Sequence, residues 1–424
     1  MIEYDTIVIG GGAAGMLASA VSAERGKRVL LIERNDRLGK KLRITGKGRC
    51  NLTNDCDQSE ILANIPTGGR FLQGAFAKFG PRDVMELFES FGVPLKTERG
   101  GRVFPQSDNA ADIVDALGRY MQKSGVTQKR GRVMKITTEN GRVTGVATQS
   151  DEEFKSGTVI LATGGVSYPA TGSTGDGHDI ARKLGHTVTP LRGSLVPLEA
   201  EPELCSRMQG LTLKNVRLSI YDEGKKPVFS DFGELLFTHF GISGPLTLSA
   251  SAHMQDKKYY VLIDLKPALD ERRLDLRILR DFEKYANRDF ANALGDLLNR
   301  LMIPVFIEKS GIPPDTKVHS INRQQRLGLI KLFKEFRIEI DRPRPISEAI
   351  ITSGGVDLRE INPKTMESKL IEGLYFAGEI INADAYTGGF NLQIAWSTAH
   401  AAAGDGLGAF SKKLAAGGKK VGGH

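Results

Sequence analysis

The chain begins with two apolar runs separated by a helical pattern of small residues. Residues 4–9 predict a buried strand, and the glycine-rich turn Gly10–Gly15 follows directly. Segment 13–25, rich in alanine, predicts a tightly packed helix, and residues 29–33 predict a second strand. Strand, turn, helix and strand within about 30 residues form a βαβ unit, which places two parallel strands in one sheet.

Helices and strands alternate further along the chain. The pattern predicts helices at 81–92 and 108–123, and strands near 132–137 and 142–148. The apolar segment 158–163 predicts another buried strand, which two glycines end. This order of elements is typical of an α/β domain with a parallel sheet.

The pattern changes near residue 193. Residues 195–265 carry short alternating stretches separated by turn residues, which predict a small β domain. Residues 270–340 are charged and have helical periodicity with little strand signal, which predicts a helical insert. From Ile350 the glycine-rich strand pattern returns, and it ends in a helix at about 391–409. We therefore predict one nucleotide domain built from both chain ends.

These changes define the predicted domain boundaries. The nucleotide-binding domain comprises residues 1–193 and 346–410. The β insertion comprises residues 194–266, and the helical insertion comprises residues 267–345. Residues 411–424 predict a flexible tail.

Composition narrows the class of protein. Glycine accounts for 49 of 424 residues, above the average for globular proteins, and its clustering indicates ligand-binding loops. The formal net charge of +8 is compatible with a nucleic acid, an anionic membrane surface or an anionic small molecule. The three cysteines, Cys50, Cys56 and Cys205, show no CxxC spacing, which argues against disulfides and dithiol redox chemistry.

Sparse cysteines suit a reducing compartment. The N-terminal residues carry no secretion signal, and no apolar run of about 18 residues occurs. We therefore expect a cytoplasmic protein without a membrane span. No metal site is predicted.

The glycine-rich turn has the spacing Gly10-x-Gly12-x-x-Gly15, and Glu33 ends the second strand. Glycines allow the backbone to approach a pyrophosphate closely, and the helix N-terminus stabilises the negative charge. The Glu33 carboxylate can bind ribose hydroxyls and would repel a 2′-phosphate, so the site favours FAD or NAD over NADP. The alternative is a glycine-rich turn that binds nothing.

A basic loop follows and interleaves glycines with hydrogen-bond donors over residues 39–54. Such a loop can wrap a pyrophosphate and present backbone amides to a flavin ring; the alternative is a solvated basic loop. Cys50 is a candidate flavin neighbour and a candidate catalytic residue. The alternative for Cys50 is a small packed side chain.

Two later motifs distinguish FAD from NAD. Ala162-Thr163-Gly164-Gly165 follows a buried strand in mid-chain, where such a turn returns to the FAD in flavoproteins with two dinucleotide folds. Near the C-terminus an apolar strand ends in Gly378-Glu379, and Thr387-Gly388-Gly389 precedes a helix. The acid can bind the ribityl chain, and the helix N-terminus can stabilise the negative charge that reduction places on the flavin. We therefore predict one non-covalent FAD.

One histidine of the β insertion is a second catalytic candidate. His239 lies in Thr-His-Phe-Gly-Ile-Ser-Gly-Pro at 238–245 and could transfer protons at the flavin. The alternative is a structural histidine whose ring nitrogens are satisfied.

Four motifs carry a resemblance to a known family. They are Gly-Lys-Lys-x-x-x-Thr-Gly-x-Gly-Arg-Cys-Asn-x-Thr-Asn at 39–54, the motif at 238–245, Thr-Met-Glu-Ser-Lys at 365–369 and Thr-Gly-Gly-Phe-Asn-Leu-Gln at 387–393. They resemble the BaiN-like NAD(P)/FAD-dependent oxidoreductases, the group that includes aminoacetone oxidase. The resemblance implies a Rossmann-type, glutathione-reductase-like FAD domain with a β-barrel-like insertion and a helical insertion.

The predicted cofactor contacts combine the motifs with this resemblance. They are Gly10, Gly12, Ala13, Ala14, Gly15, Glu33, Arg34, Lys41, Thr45, Gly46, Gly48, Arg49, Cys50, Asn51, Val133, Ala162, Thr163, Gly164, Gly378, Glu379, Gly389, Phe390, Asn391 and Leu392. Asn382 stands where many relatives have an acid, which leaves open which group contacts the ribityl chain or the substrate.

We predict an FAD-dependent oxidoreductase that transfers a hydride between the flavin and a small organic substrate. Only one dinucleotide fingerprint is evident, so NAD(P)H would bind transiently as electron donor, or oxygen would reoxidise the flavin as in an amine-type oxidase. Two alternatives stay open: an RNA-associated flavoprotein, motivated by the charge of +8, and a flavin-binding protein without turnover. A nucleic-acid partner is not expected, because the cofactor loop accounts for the densest basic run and no aromatic-rich RNA platform is evident.

Overall fold

The structure, a computed structural model, describes residues 3–404. It divides into two compact units. The first contains the residues up to Gly193 and those from Ile346 onward, and the second is Ser194–Pro345. The tail predicted for residues 411–424 lies outside the described residues. No helix between residues 3 and 404 has both the length and the apolar composition that crossing a membrane requires.

The strands and helices are numbered in chain order. The strands are β1 Thr6–Ile9, β2 Val29–Glu33, β3 Thr53–Asn54, β4 Leu95–Glu98, β5 Arg102–Pro105, β6 Thr127–Arg130, β7 Val133–Glu139, β8 Arg142–Thr148, β9 Glu153–Lys155, β10 Val159–Leu161, β11 Arg192–Ser194, β12 Leu198–Ala200, β13 Thr212–Tyr221, β14 Phe229–Thr238, β15 Gly241–Ser243, β16 Tyr259–Asp264, β17 Phe336–Pro343, β18 Ile351–Ser353 and β19 Leu374–Phe376. The helices are α1 Ala13–Glu24, α2 Lys40–Ile44, α3 Gln58–Ala63, α4 Gly69–Lys78, α5 Pro81–Ser90, α6 Ala110–Ser124, α7 Asp176–Lys183, α8 Pro202–Ser206, α9 Pro245–Ser251, α10 Glu271–Lys284, α11 Phe290–Ala293, α12 Ile303–Ser310, α13 Arg323–Lys334 and α14 Phe390–Ala402. Short 3-10 helices lie at Thr45–Gly48, Pro169–Thr171, Val318–Ser320, Ile346–Glu348 and Leu358–Glu360.

The first unit is organised around a five-stranded sheet with the strand order β19-β10-β1-β2-β6. All four pairings are parallel, so both ends of the chain contribute strands to one sheet. Every residue of β1 is buried, from Thr6 to Ile9. Continuous buried strands are typical of parallel sheets that are covered on both faces. The predicted Rossmann-type α/β fold is therefore confirmed.

Helix α1 lies in the core of this unit. All residues from Ala14 to Ala23 are buried, and most have small side chains that allow close packing against β1, α6 and α14. A helix that is apolar all round is buried rather than amphipathic. This packing fixes the position of the glycine-rich turn at the helix N-terminus.

The second unit is built on a closed barrel with the strand order β12-β15-β14-β13-β16-β17. Its strands pair antiparallel, and side chains alternate between interior and exterior; in β16, every second residue is buried. The helices α10–α13 connect β16 to β17 in the chain, and their apolar residues join the barrel residues in one hydrophobic core.

Strand β17 differs from the sequence-based expectation, which placed residues 270–340 in a helical insert. Phe336, Ile338 and Ile340 are buried, and the residues between them are exposed. This two-residue period covers only one short strand at the end of a charged helical stretch, so the local pattern hid it. Its pairing with β16 and β12 closes the barrel, and the helices are thus an excursion between two barrel strands.

Candidate dinucleotide-binding site

Four of the predicted motifs lie at one edge of the parallel sheet. Strands β1, β2, β10 and β19 end at Ile9, Glu33, Leu161 and Phe376. Glu33 is itself a predicted contact, and predicted contacts follow the other three strands within two residues. Because these strands are parallel, their carboxyl ends meet at the same edge. Ligands of open α/β sheets bind at this edge.

The three glycines of the turn have different roles. Gly10 has a φ of +102°, and a Cβ there would lie 2.6 Å from the carbonyl oxygen of Ala162. A Cβ at Gly15 would lie 1.8 Å from the carbonyl oxygen of Gly10, so both positions are required by the turn itself. A Cβ at Gly12 would meet nothing within 4 Å. Gly12 is also the N-cap of α1 and offers no side-chain cap, which leaves the helix amides available to an anion.

The Glu33 carboxylate is held beside this turn. The backbone N–H of Gly11 donates to Oε2 at 2.5 Å, and the N–H of Asn35 donates to Oε1 at 2.7 Å. A carboxylate has further acceptor positions on both oxygens, so ribose hydroxyls can still donate to it. The two amides fix its orientation for that contact.

Asp176 joins three segments next to Glu33. Arg132 donates to Asp176 from Nε at 2.7 Å and from Nη2 at 2.9 Å, and Nη1 of Arg34 lies 3.0 Å from the same carboxylate. The hydrogen bonds from Arg132 are the largest cause of a lowered pKa at Asp176. Arg34 also donates to Oγ1 of Thr174 at 2.6 Å. The predicted contact Arg34 is therefore engaged with protein groups, and the predicted contact Val133 follows Arg132 as the buried first residue of β7.

The loop 39–54 has an unusual backbone. Gly46, Lys47, Gly48 and Cys50 all have positive φ, at 57°, 59°, 85° and 59°. The N–H groups of Arg49 and Cys50 donate to the carbonyls of Gly46 and Thr45 at 3.3 Å and 3.0 Å, so these positive φ values close a tight turn. The predicted contact Thr45 begins this segment, and its Oγ1 donates to the carbonyl of Leu42 at 2.7 Å.

Arg49 is the most constrained side chain of this loop. Its Nε donates to Asp108 at 2.7 Å, it forms an ion pair with Glu98, and its guanidinium lies 4.1 Å from the ring centroid of Phe104. A contact with the cofactor, as predicted, would require Arg49 to exchange these partners.

Lys41 connects three of the loops at the sheet edge. Its Nζ donates to Oγ of Ser167 at 2.7 Å and to Oε2 of Glu379 at 2.7 Å. Oε1 of Glu379 accepts from the N–H of Thr352 at 2.7 Å and from Ser167 at 3.1 Å. The sequence did not indicate Ser167 or Thr352, because neither belongs to a recognisable motif. The network positions Lys41 and Glu379, both about one-fifth exposed, beside the turn that follows β10.

The C-terminal motif packs directly on the loop 39–54. Gly389 has a φ of +99°, and a Cβ there would lie 2.3 Å from the carbonyl oxygen of Thr53. Nδ2 of Asn54 donates to the carbonyl of Gly388 at 3.0 Å. Helix α14 begins at Phe390 without a side-chain cap, so its N-terminal amides are available to a ligand. The Asn391 side chain bonds the backbone of residue 385 and thereby fixes the preceding segment.

The remaining predicted contacts lie in the same loops. Ala14 packs against Gly378, where a Cβ would lie 2.9 Å from the Ala14 Cβ. Ala162 and Gly164 lie in the turn after β10, and Gly164 has a φ of +75°. Ala13 and Leu392 are half-buried residues in the first turns of α1 and α14.

Several features fit a bound dinucleotide of the FAD type. Three of the buried oxygens that find no hydrogen-bond partner among residues 3–404 lie in these loops: Oδ1 of Asn51, Oδ1 of Asn54 and Oγ1 of Thr163. Buried polar atoms are normally paired, so these oxygens indicate hydrogen-bonding capacity for a ligand. The open space beside Gly12 and the uncapped ends of α1 and α14 add the amides that a pyrophosphate and a flavin require.

Cys50 is fully buried in this loop. Burial raises the pKa of its thiol to about 12. The thiolate is the nucleophilic form of cysteine, so Cys50 is a neutral, packed side chain at neutral pH.

We expect Cys50→Ser to retain the bound cofactor and the rate at which the cofactor is reduced between pH 6 and 9, because no thiolate forms there. Stopped-flow reduction of the variant, compared with the unchanged chain at the same cofactor content, measures this. A loss of reduction in a variant that still carries full cofactor would restore Cys50 as a catalytic residue.

His239 belongs to the second unit, between β14 and β15. Its imidazole is exposed and packs edge-on against Phe240, with ring centroids 5.0 Å apart. Its role in proton transfer stays a prediction.

Comparison with known proteins identifies the family. The chain matches the family described as HI0933-like protein Rossmann domain over residues 4–405. It is 32% identical over 411 residues to the ribosomal RNA dihydrouridine synthase of Escherichia coli (strain K12), a match that covers 96% of this chain and 98% of that protein. It is 29% identical over 407 residues to the 3-dehydro-bile acid delta(4,6)-reductase of Clostridium scindens, covering 93% and 97%.

A solved structure supports the fold. The 3-ketosteroid delta1-dehydrogenase from Sterolibacterium denitrificans superposes with a TM-score of 0.52 at 14% identity, covering 95% of this chain and 99% of that chain. The resemblance to the BaiN-like oxidoreductases is confirmed by the family match. The chain therefore belongs to the HI0933-like Rossmann family and is an FAD-binding oxidoreductase.

Proposed function

We propose that this flavoprotein reduces a carbon–carbon double bond conjugated to a carbonyl group, with NADH or NADPH as electron donor. One observation carries the proposal: two relatives with different substrates have names that describe the same bond change. Dihydrouridine is uridine whose ring double bond, conjugated to a carbonyl, is saturated. The delta(4,6) double bonds of a 3-dehydro bile acid are likewise conjugated to the 3-carbonyl.

The reaction adds one hydride and one proton across the double bond. A flavin held at this site, once reduced by NAD(P)H with formation of NAD(P)⁺, would supply the hydride that adds to the carbon β to the carbonyl. A proton from an acid or from water is then added to the carbon α to the carbonyl. His239 is the candidate acid, because its imidazole is exposed and histidine side chains commonly transfer protons in catalysis.

The chain's own groups hold the cofactor for this reaction. The amides at the start of α1 and the space beside Gly12 accommodate the pyrophosphate, and Glu33 binds the ribose. The uncapped N-terminus of α14 carries partial positive charge, which stabilises negative charge at the end of the flavin next to it.

The purified holoprotein provides the test. Anaerobic NADH or NADPH should bleach the flavin absorbance, and a cyclic enone should restore it, whereas the saturated ketone of the same skeleton should not. Reduction by an amine instead, followed by reoxidation with oxygen alone, would favour an oxidase. A flavin that neither nicotinamide reduces and no conjugated carbonyl reoxidises would contradict the proposal and favour a flavin-binding protein without turnover.

Uridine within RNA is a second candidate substrate. Two relatives carry the name ribosomal RNA dihydrouridine synthase; the one from Haemophilus influenzae is 30% identical over 411 residues. Reoxidation of the reduced flavin by a uridine-containing RNA, with dihydrouridine detected in the product, distinguishes this substrate from a small enone.

A further inference from the structure

The outer surface of the barrel carries a row of aromatic and arginine side chains. On β13 and β16, the residues that face outward include Tyr221 and Tyr260, which pair directly across the two strands. Their rings stack with centroids 5.2 Å apart and an interplanar angle of 7°. The guanidinium of Arg337 on β17 lies 3.8 Å from the ring centroid of Tyr260. Tyr260 therefore lies between a tyrosine from one neighbouring strand and an arginine from the other.

A second pair lies on the same face, four residues along β13. Arg217 on β13 pairs across from Phe232 on β14. The Phe232 side chain is 50% exposed, although large apolar side chains are normally buried. Arg217 is exposed and forms no ion pair with any residue between 3 and 404. At about 3.4 Å per residue, the two pairs are roughly 13 Å apart along the strand.

Charges of both signs lie on this face. Glu339 accepts from Arg337 at 2.5 Å, and Asp264 lies 2.5 Å from Nζ of Lys334, so both carboxylates are neutralised. The charge of Arg217 is not compensated in this way. The resulting surface combines flat aromatic rings and guanidinium planes with unpaired charges of both signs, since the exposed Glu234 on β14 also forms no ion pair among residues 3–404.

We infer that this face of the barrel binds single-stranded RNA that contains the substrate uridine. Unpaired bases stack on aromatic rings and on arginine planes, and basic side chains contact the phosphates. The face consists of adjacent strands of a closed barrel, β14-β13-β16-β17, and other barrels bind single strands on such sheet surfaces. The inference rests on RNA uridine as the substrate in the proposed function. The pattern was not evident in the sequence because Tyr221, Tyr260 and Arg337 come together only through strand register.

The affinity of the holoprotein for a fluorescein-labelled 12-nucleotide oligouridine, measured by anisotropy over a range of salt concentrations, tests the inference. Tyr260→Leu and Phe232→Ser should each weaken binding at least fivefold, since stacking on one aromatic ring contributes about 1–3 kcal/mol per base. Arg217→Gln should weaken binding and lower the slope of log affinity against log salt by about one. Arg272→Gln, which removes an equally exposed arginine from α10, is the matched control and should bind nearly as the unchanged chain.

The same variants separate this inference from the proposed function. NAD(P)H reduction and enone reoxidation of the flavin should be unchanged in Tyr260→Leu, because Tyr260 belongs to the barrel unit and is not a predicted cofactor contact. Loss of RNA affinity without loss of enone reduction is the expected result.

Equal affinities for all variants and the control would overturn the RNA-binding inference and leave enone reduction standing. A holoprotein that binds no oligouridine at low salt, but whose self-association in sedimentation is abolished by Tyr260→Leu, would reassign the face to protein contact. Variant-sensitive RNA binding without any enone or uridine reduction would overturn the proposed function alone.

Discussion

Gly12→Ala is expected to lose FAD while the chain still folds. Gly12 has an ordinary φ of −84°, and the added Cβ would meet no protein atom within 4 Å. The space that it fills lies at the N-terminus of α1, where the pyrophosphate must approach the backbone closely. We expect FAD affinity to fall roughly 100-fold, which corresponds to about 2.7 kcal/mol. Flavin content of the purified protein and titration of the apoprotein with FAD measure this.

Two further alanine variants are the controls. Gly15→Ala places a Cβ 1.8 Å from the Gly10 carbonyl oxygen, so it should lower the thermal stability of the apoprotein as well as its FAD content. Gly118→Ala on α6 meets nothing within 4 Å, so it should leave the FAD content unchanged and raise the thermal stability slightly, because alanine favours a helix more than glycine does. Full flavin content in Gly12→Ala would show that the turn is not where the pyrophosphate binds.

The ion pair between Lys41 and Glu379 is expected to couple cofactor binding to folding. Removing either partner, in Lys41→Met or Glu379→Gln, leaves the other without its closest charge in a site where both are only about one-fifth exposed. We expect a coupling free energy of about 1–2 kcal/mol in the unfolding of the apoprotein, between the values for exposed and for buried pairs. Each single variant should also weaken FAD binding, because both side chains lie beside the cofactor loops. Chemical denaturation of both single variants and the double variant gives the coupling.

Arg142 and Glu372 supply the matched comparison. They form an ion pair of the same 2.7 Å length, but both side chains are more than 60% exposed. Their coupling should not exceed about 1 kcal/mol, because solvent screens exposed pairs. Additive effects of Lys41→Met and Glu379→Gln, with wild-type FAD affinity in both, would contradict the proposed role of the network.

Local patterns were enough to predict the parallel sheet of the first unit. The strands at 4–9 and 29–33, the glycine spacing between them and the strand at 158–163 each depend on a few neighbouring residues, and the structure places them in one parallel sheet. Strand β17 was missed because its alternation is short and its partners, β12 and β16, lie far away in the chain.

The motifs of the site could be predicted from the sequence, but the hydrogen bonds that join these motifs could not. Lys41 was predicted as a contact, but its bond to Glu379 joins residues 338 positions apart. Ser167 and Thr352 contribute through a hydroxyl and a backbone amide, which many unrelated segments also possess. Such contacts depend on the packed fold and leave no signal in a single sequence.

The contribution of both chain ends to one sheet has a consequence for how the protein is made. On the ribosome, β10 emerges about 200 residues before β19, and β1 and β2 emerge earlier still. At a synthesis rate of 5–20 residues per second, about 10–40 s therefore pass between the synthesis of β10 and the synthesis of β19. The barrel unit, which has its own hydrophobic core, is synthesised during this interval. FAD is thus expected to join a finished chain, and its supply would limit how much of the folded protein carries the cofactor.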